Sequence, residues 1–177
     1  MKLDVKLREV CRVDVQPIAD KIAAVSREHW TKWDFRQTEY AVHSQTYSIP
    51  YLWLHNGVSF DCIDQMEIHE QHIAVNELVD PLLAKIPGTV VKLALVNLPA
   101  GHTIPEHVDG SSSLELVHRC HLPIISNPEV QFGIEGEVFY MQPGIWYEFD
   151  NTRRHFVANN STQDRVHLLC DIYNDGK

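Results

Sequence analysis

From Thr89 onward the chain is a series of short β-rich runs, and nothing in that half carries a helical period. TVVKLALVNL, HRCHLPII, VQFGIEGEVFYM, IWYEFD, HFVANN and RVHLLCDIY follow one another, separated by the turn signals AG, DG, NP, EG and PG. Strands this short, with no crossover helix between them, pair antiparallel and must bury an apolar face against a second sheet or close on themselves. The expected fold is α+β but mainly β. Its most natural form is a double-stranded β-helix, of the jelly-roll or cupin-like kind, with N-terminal helices packed on one sheet.

The N-terminal half has a different texture. Asp14 to Trp30, DVQPIADKIAAVSREHW, spaces Ile18, Ile22, Ala23 and Val25 as the apolar face of one amphipathic helix, with Pro17 near its start. Residues 31–60 mix aromatic and β-branched residues, and SIPYLWL reads as a strand region interrupted by Pro50. Asn76 to Ile86, NELVDPLLAKI, reads as a second helix, broken or restarted around Pro81 and stopped by Pro87-Gly88. The chain has 177 residues, 44% of them hydrophobic, and no Pro/Gly/Ser-rich linker. One domain over residues 1–177 is therefore expected, with 1–88 as its helical and mixed part and 89–177 as the β-helix core.

Charge narrows the partners. With 15 basic and 24 acidic residues the net charge is −9, which repels phosphate backbones, so no nucleic acid is expected. The opening MKLDVKLREV carries charges throughout, and no apolar run approaches the length of a membrane span. The expectation is a soluble, cytoplasmic protein with no membrane partner. Cys11, Cys62, Cys120 and Cys170 are scattered without a CxxC pair, as suits buried reduced thiols.

The chemistry concentrates in EHVDGSSSLELVHRCH, residues 106–121. Side chains two apart on a strand share a face, so His107 and Asp109 project together if that segment is extended. Gly110 and three serines then turn the chain, and Arg119 and His121 share one face of the next strand while His118 and Cys120 take the other. A further histidine, His155, lies 46 residues beyond Asp109. Two imidazoles and a carboxylate on one side of a metal leave the opposite positions open, which suits non-haem Fe(II). Ten residues after His155, Arg165 opens the strand RVHLLCDIY, where Val166, Leu168 and Cys170 form an apolar face and Arg165 and His167 the other. Inside a barrel mouth such an arginine needs an anion, and its planar fork matches a carboxylate. Singly, a His-x-Asp pair is a chance occurrence, His155 a satisfied core histidine and Arg165 a solvated strand end. Their order and spacing within one run of strands is the stronger signal.

The pattern HVDG…HRCHLPI…GEVFYMQPGIWYEFDNTRRHFVANNSTQDRVHLLCDIY resembles the aspartyl/asparaginyl β-hydroxylase family of Fe(II)- and 2-oxoglutarate-dependent dioxygenases over roughly residues 90–173. The resemblance implies that His107, Asp109 and His155 bind iron, that Arg165 grips the distal carboxylate of 2-oxoglutarate, and that Arg119 and His121 also contact this cosubstrate. Asp171 matches an acidic position of the last strand to which no role beyond structure is assigned. The membrane-anchored members of vertebrates have glycine at the position of Asp109, so this chain looks more like small stand-alone members of bacterial type that hydroxylate amino acids.

The implied reaction uses O2 and 2-oxoglutarate to hydroxylate an unactivated C–H of an amino acid or amino-acid residue, releasing succinate and CO2. No side chain beyond the metal ligands need act as a catalyst, and the partner is a small-molecule or peptide substrate. The alternative is a cupin-like metal-binding or sensor protein without oxygenase turnover, and two arginines aimed at a dicarboxylate argue against it. His102 and His167 are further pocket candidates, as are Trp30, Trp33 and Tyr47 in the N-terminal half. For each, a solvated or core position is the plainer expectation.

Overall fold

The computed structural model describes residues 2–53, 75–109 and 114–174, and the backbone of 64–65. Among the described residues, eleven strands form two antiparallel sheets, as the strand pattern implies for a mainly β, cupin-like fold. The larger sheet takes β1 (Leu7–Arg12), β2 (Tyr47–Trp53), β3 (Asp64–Gln65), β4 (Thr89–Leu98), β6 (Val117–Ile125), β9 (Ile145–Phe149) and β11 (Arg165–Tyr173), in the order β1-β9-β6-β11-β4-β2-β3. The smaller holds β5 (Thr103–His107), β7 (Val130–Ile134), β8 (Glu137–Phe139) and β10 (His155–Asn159), in the order β5-β10-β7-β8.

Alternation along the strands builds a different core on each face of the larger sheet. Leu168 and Cys170 of β11, Cys120 and Leu122 of β6 and Trp146 of β9 face outward into a core completed by helices. Ile18 and Ile22 of α1 (Gln16–Ala23), Trp30 of α2 (Arg27–Trp30) and Leu78, Val79 and Leu82 of α4 (Asn76–Leu83) supply its other side. A hydrogen bond from Trp146 Nε1 to the Leu78 carbonyl, 2.8 Å, ties sheet to helix. Between the sheets lies a second core of Ile104, Phe132, Ile134, Ile145, Tyr147, Phe149 and Val157. At one end of this core the interior turns polar, and there the site forms.

Several local expectations are revised. The helix expected over Asp14–Trp30 is two helices, because Ala24 ends the first and Ser26, in an extended conformation, caps the second by accepting from the His29 amide at 3.2 Å. Conversely, Pro81 neither breaks nor restarts α4. Its missing N–H frees only the carbonyl four residues back, on exposed Glu77, where water can replace the bond. The charged N-terminus contains β1, an edge strand in which charged side chains suit the solvent-facing rim. VQFGIEGEVFYM is a hairpin of β7 and β8, turned by Glu135 and Gly136 at φ 45° and 80°.

Cys120 and Cys170 are buried and Cys11 half-buried, all as free thiols. Cys62 and the turn expected at residues 110–113 lie outside the described residues. Among the described residues, no helix is long and apolar enough to cross a membrane.

Candidate metal and cosubstrate site

Antiparallel pairing of β5 with β10 sets His107 directly opposite His155, their ring centroids 4.3 Å apart. Each ring is oriented by the backbone carbonyl two residues before it. His107 Nδ1 lies 2.8 Å from the Pro105 carbonyl and His155 Nδ1 2.9 Å from the Arg153 carbonyl. A carbonyl only accepts, so both protons sit on Nδ1 and both Nε2 atoms present lone pairs. Those lone pairs converge on Asp109, at 3.6 Å from His107 Nε2 and 3.7 Å from His155 Nε2. Asp109 follows the end of β5, anchored by its amide, which donates to the Asn151 carbonyl at 3.3 Å. Asn151 in turn donates from Nδ2 to the Leu114 carbonyl at 2.9 Å.

Lone pairs of two imidazoles and a carboxylate meeting in a buried place, with no proton between them, repel one another unless a cation intervenes. All three ligand atoms lie within 4.8 Å of one another. Neutral nitrogen and anionic oxygen donors suit a divalent first-row metal, and three of them leave room for others. Burial pushes the His155 imidazole down, favouring the neutral form that ligates. Burial alone would push the Asp109 carboxyl up, but the Arg119 guanidinium, followed by His155 and His107, holds it below its ordinary range. Asp109 is thus the anion, and His155 the neutral donor, that a metal requires.

Arg119, expected on the cosubstrate, has carboxylates on all three of its nitrogens. Nε and Nη2 donate to the two oxygens of Asp171 at 2.9 and 2.6 Å, and Nη1 donates to Asp109 Oδ2. Burial works against its charge, and Asp109 and Asp171 more than offset that, so its pKa rises. The acidic position in β11 thereby gains a role: Asp171 holds the arginine that holds Asp109.

Arg165 is placed differently. It is 2% exposed, and among the described residues no carboxylate pairs with it. Nη2 lies 2.5 Å from His167 Nδ1, and Nε has no partner. Because a guanidinium only donates, His167 accepts at Nδ1 and carries its proton on Nε2, which is also buried and unpartnered. Both ring nitrogens of His121 are likewise unpartnered. Burial, then repulsion from Arg36, pushes Arg165 down to about 9. Such a cluster of donors lacks its acceptor. Ile104, Phe132, Phe149 and Val157 wall the cavity between it and the histidine–aspartate triad.

The remaining candidates separate cleanly. His167 lines this cavity, whereas His102 is exposed, its Nδ1 2.9 Å from the Ala100 carbonyl. Trp30 is in the helix-side core, Trp33 is half-buried, and Tyr47 lies under Arg27, 3.8 Å from ring to guanidinium. Three residues were missed from the sequence. Arg36, on α3 (Phe35–Glu39), and His43, on the 3-10 turn Ala41–His43, line this cavity, and Lys92 of β4 lines the one beside it. Only Lys92 left a trace, as the one charge in TVVKLALVNL.

The family model for aspartyl/asparaginyl β-hydroxylase matches residues 12–175. No curated protein matches the chain in sequence. Among solved structures, the chain is similar to an oxidoreductase of the 2OG-Fe(II) oxygenase family from Burkholderia pseudomallei. They share 10% identity and a TM-score of 0.57, over 91% of this chain and 90% of that one. It is also similar to the viral collagen prolyl hydroxylase of Paramecium bursaria Chlorella virus-1, solved as a 2OG complex, at 8% identity and TM-score 0.55 over 96% of each chain. At such identities these two speak for the fold alone. The family match spans nearly the whole chain and the fold agrees with it: the protein belongs to the aspartyl/asparaginyl β-hydroxylase family and is an enzyme of the Fe(II)/2-oxoglutarate dioxygenase class.

Proposed function

We propose that the protein hydroxylates an unactivated C–H of an amino acid or amino-acid residue, with His107, Asp109 and His155 as iron ligands and Arg165 as the anchor of 2-oxoglutarate. The observation that carries this reading is the Arg165 cluster. A buried cation with two unpartnered N–H donors, one of its own and one on His167, is costly unless a carboxylate completes it.

When bound, Fe(II) with 2-oxoglutarate and O2 supplies the oxidising power that turns C–H into C–OH, succinate and CO2 being released. The chain's own work is ligation, orientation and exclusion of water. His107 and His155 offer Nε2 lone pairs because their backbone carbonyls fix the Nδ1 protons. Arg119 keeps the Asp109 carboxylate ionised and aimed at the same point, with Asp171 fixing the arginine. Arg165 Nε and His167 Nε2 receive the cosubstrate's distal carboxylate, and His121 lies beside them for a further polar contact. The apolar walls keep this ion pairing in a dry setting, where it is strong.

The test is succinate release from Fe(II)-loaded protein supplied with 2-oxoglutarate, O2 and a panel of free amino acids, short peptides and their derivatives. One panel member is expected to raise succinate formation, with a matching product 16 mass units heavier and no turnover in His107→Ala. Iron and 2-oxoglutarate binding with no substrate-dependent succinate from any member would instead support a binding or sensor protein.

A further inference from the structure

A second cavity adjoins the first and shares Arg36, His43, His107 and Asp109 with it, but Arg165 is not part of its lining. Its volume of about 180 Å³ holds a small molecule rather than a single water. Arg36, Trp53, Lys92 and Leu169 line it beside the metal ligands.

We propose that this cavity recognises the substrate, and that Arg36 and Lys92 receive a carboxylate of a substrate whose neighbouring nitrogen is an uncharged amide. The inference rests on the oxygenase reading above and adds the substrate's chemical class to it.

Charge balance carries the argument. Arg36 and Lys92 are each 6% exposed. Arg36 donates from Nη1 to Thr46 Oγ1 at 2.8 Å, and among the described residues no carboxylate pairs with it. The Lys92 ammonium sits 4.4 Å from the centre of the Trp53 ring, with no ion pair among the described residues. Asp171, its cross-strand partner, spends both oxygens on Arg119. Around the cavity, then, Arg36, Lys92 and Arg119 face Asp109 and Asp171, and both carboxylates belong to Arg119. Among the described residues, one buried positive charge is left over before any metal is counted. Burial accordingly pushes Arg36 down to about 10 and Lys92 down to about 8. Surplus buried charge of this kind calls for an anion.

The same balance speaks against an ammonium. Among the described residues the cavity has no carboxylate free to receive one, and a cation there would meet two others and the metal. What the lining does offer is His43, with a buried Nδ1 that has no partner. An uncharged N–H suits an imidazole acceptor, and the Trp53 indole N–H, also unpartnered, suits a carboxylate or carbonyl oxygen. A carboxylate one carbon from an amide N–H is the chemistry of an N-acylated amino acid and of a peptide's C-terminal residue.

Zinc-loaded protein saturated with 2-oxoglutarate cannot turn over, so it reports binding alone. It is titrated calorimetrically with four series: free L-amino acids, their N-acetyl derivatives, the N-acetyl amino-acid amides, and Ala-Ala-X tripeptides. The tightest ligand is expected among the N-acetyl acids or the tripeptides, which separates the two sources, with the matching amide at least tenfold weaker. Lys92→Met is expected to weaken that ligand at least tenfold while 2-oxoglutarate affinity stays within threefold; Arg36→Met, which removes a side chain lining both cavities, is expected to weaken it at least tenfold, and Arg36→Lys to recover part of the loss. The inference is overturned if a free amino acid or an amide binds best, if no series binds, or if the variants change affinity by less than twofold. It is also overturned if Lys92→Met loses 2-oxoglutarate equally, for then the cavity serves the cosubstrate. Should a variant fail to fold, the ranking of the four series on the unaltered protein still decides. Failure of the unaltered protein to bind 2-oxoglutarate is the separate result that removes the oxygenase reading itself.

Discussion

Arg119 and Asp171 are directly opposed across β6 and β11, and their double hydrogen bond, at 2.9 and 2.6 Å, leaves one guanidinium nitrogen aimed at Asp109. The metal carboxylate is therefore held from behind by a buried ion pair rather than by its own loop alone. Removing one member of such a pair strands the others. Arg119→Met is expected to cost about 3–5 kcal/mol, or roughly 6–20 °C of Tm in a chain of this size. Iron affinity should fall about 10–100-fold because the ligand loses its support. Thermal melts and anaerobic Fe(II) titrations check both numbers, and Arg119→Lys should lie between, keeping the charge without the fork.

Arg165 behaves in the opposite way. With no anion beside it, its charge is a burden to the ligand-free protein, so Arg165→Met should melt no lower than the unaltered chain when metal and cosubstrate are absent. The same change should raise the Kd for 2-oxoglutarate about 10²–10³-fold while leaving iron affinity within about threefold, since Arg165 pairs with no metal ligand. Calorimetry on zinc-loaded protein measures the first, and a chelator competition the second.

Acid should loosen the ligand-free fold well above the carboxylate range. Burial, followed by the Arg165 charge, holds His121 and His167 far below the ordinary imidazole value of 6.5. Between their folded values and 6.5 the unfolded chain binds more protons than the folded one. Their contribution is thus complete above pH 6.5 and is lost progressively as the pH falls below it. Each such histidine adds a slope of about 1.4 kcal/mol per pH unit in that window. Urea midpoints from pH 8 to pH 5 should show the decline, and the double variant His121→Phe/His167→Leu should lessen it, the remainder coming from His43 and His155, which burial also holds down.

Gly133 is fixed by its neighbour rather than by its backbone. A Cβ there would lie 1.9 Å from the Phe156 ring, on the strand that carries His155. Gly133→Ala should cost about 1–3 kcal/mol through overpacking and disturb metal binding through the shifted β10. Phe156→Leu in the same chain should restore much of both losses, a double-mutant comparison that a simple loss of glycine flexibility would not satisfy.

The strand half of the molecule was legible because alternation is a local rule. The faces assigned to His118, Arg119, Cys120 and His121, and to Arg165 through Cys170, are those found, since each strand is buried on both sides and the two sides differ in chemistry. Arg36 and His43 were not legible. They sit in a five-residue helix and a three-residue turn too short for periodicity, and only tertiary packing carries them to the metal ligands. The task of Arg119 was also hidden, because choosing between a cosubstrate and two carboxylates requires knowing that Asp171 lies opposite. At Ser26 a capping hydroxyl overrode the apolar spacing that suggested one long helix.

The central claim is that His107, Asp109 and His155 share one ion within reach of an anion held by Arg165. Adding 2-oxoglutarate to anaerobic Fe(II) protein tests it most directly, by the weak visible charge-transfer band of a keto acid on ferrous iron. The account predicts a band that saturates at one 2-oxoglutarate per chain, disappears in His107→Ala and His155→Ala, and in Arg165→Met returns only at much higher cosubstrate concentration. No band in the unaltered protein, or one of equal strength in the histidine variants, would contradict it.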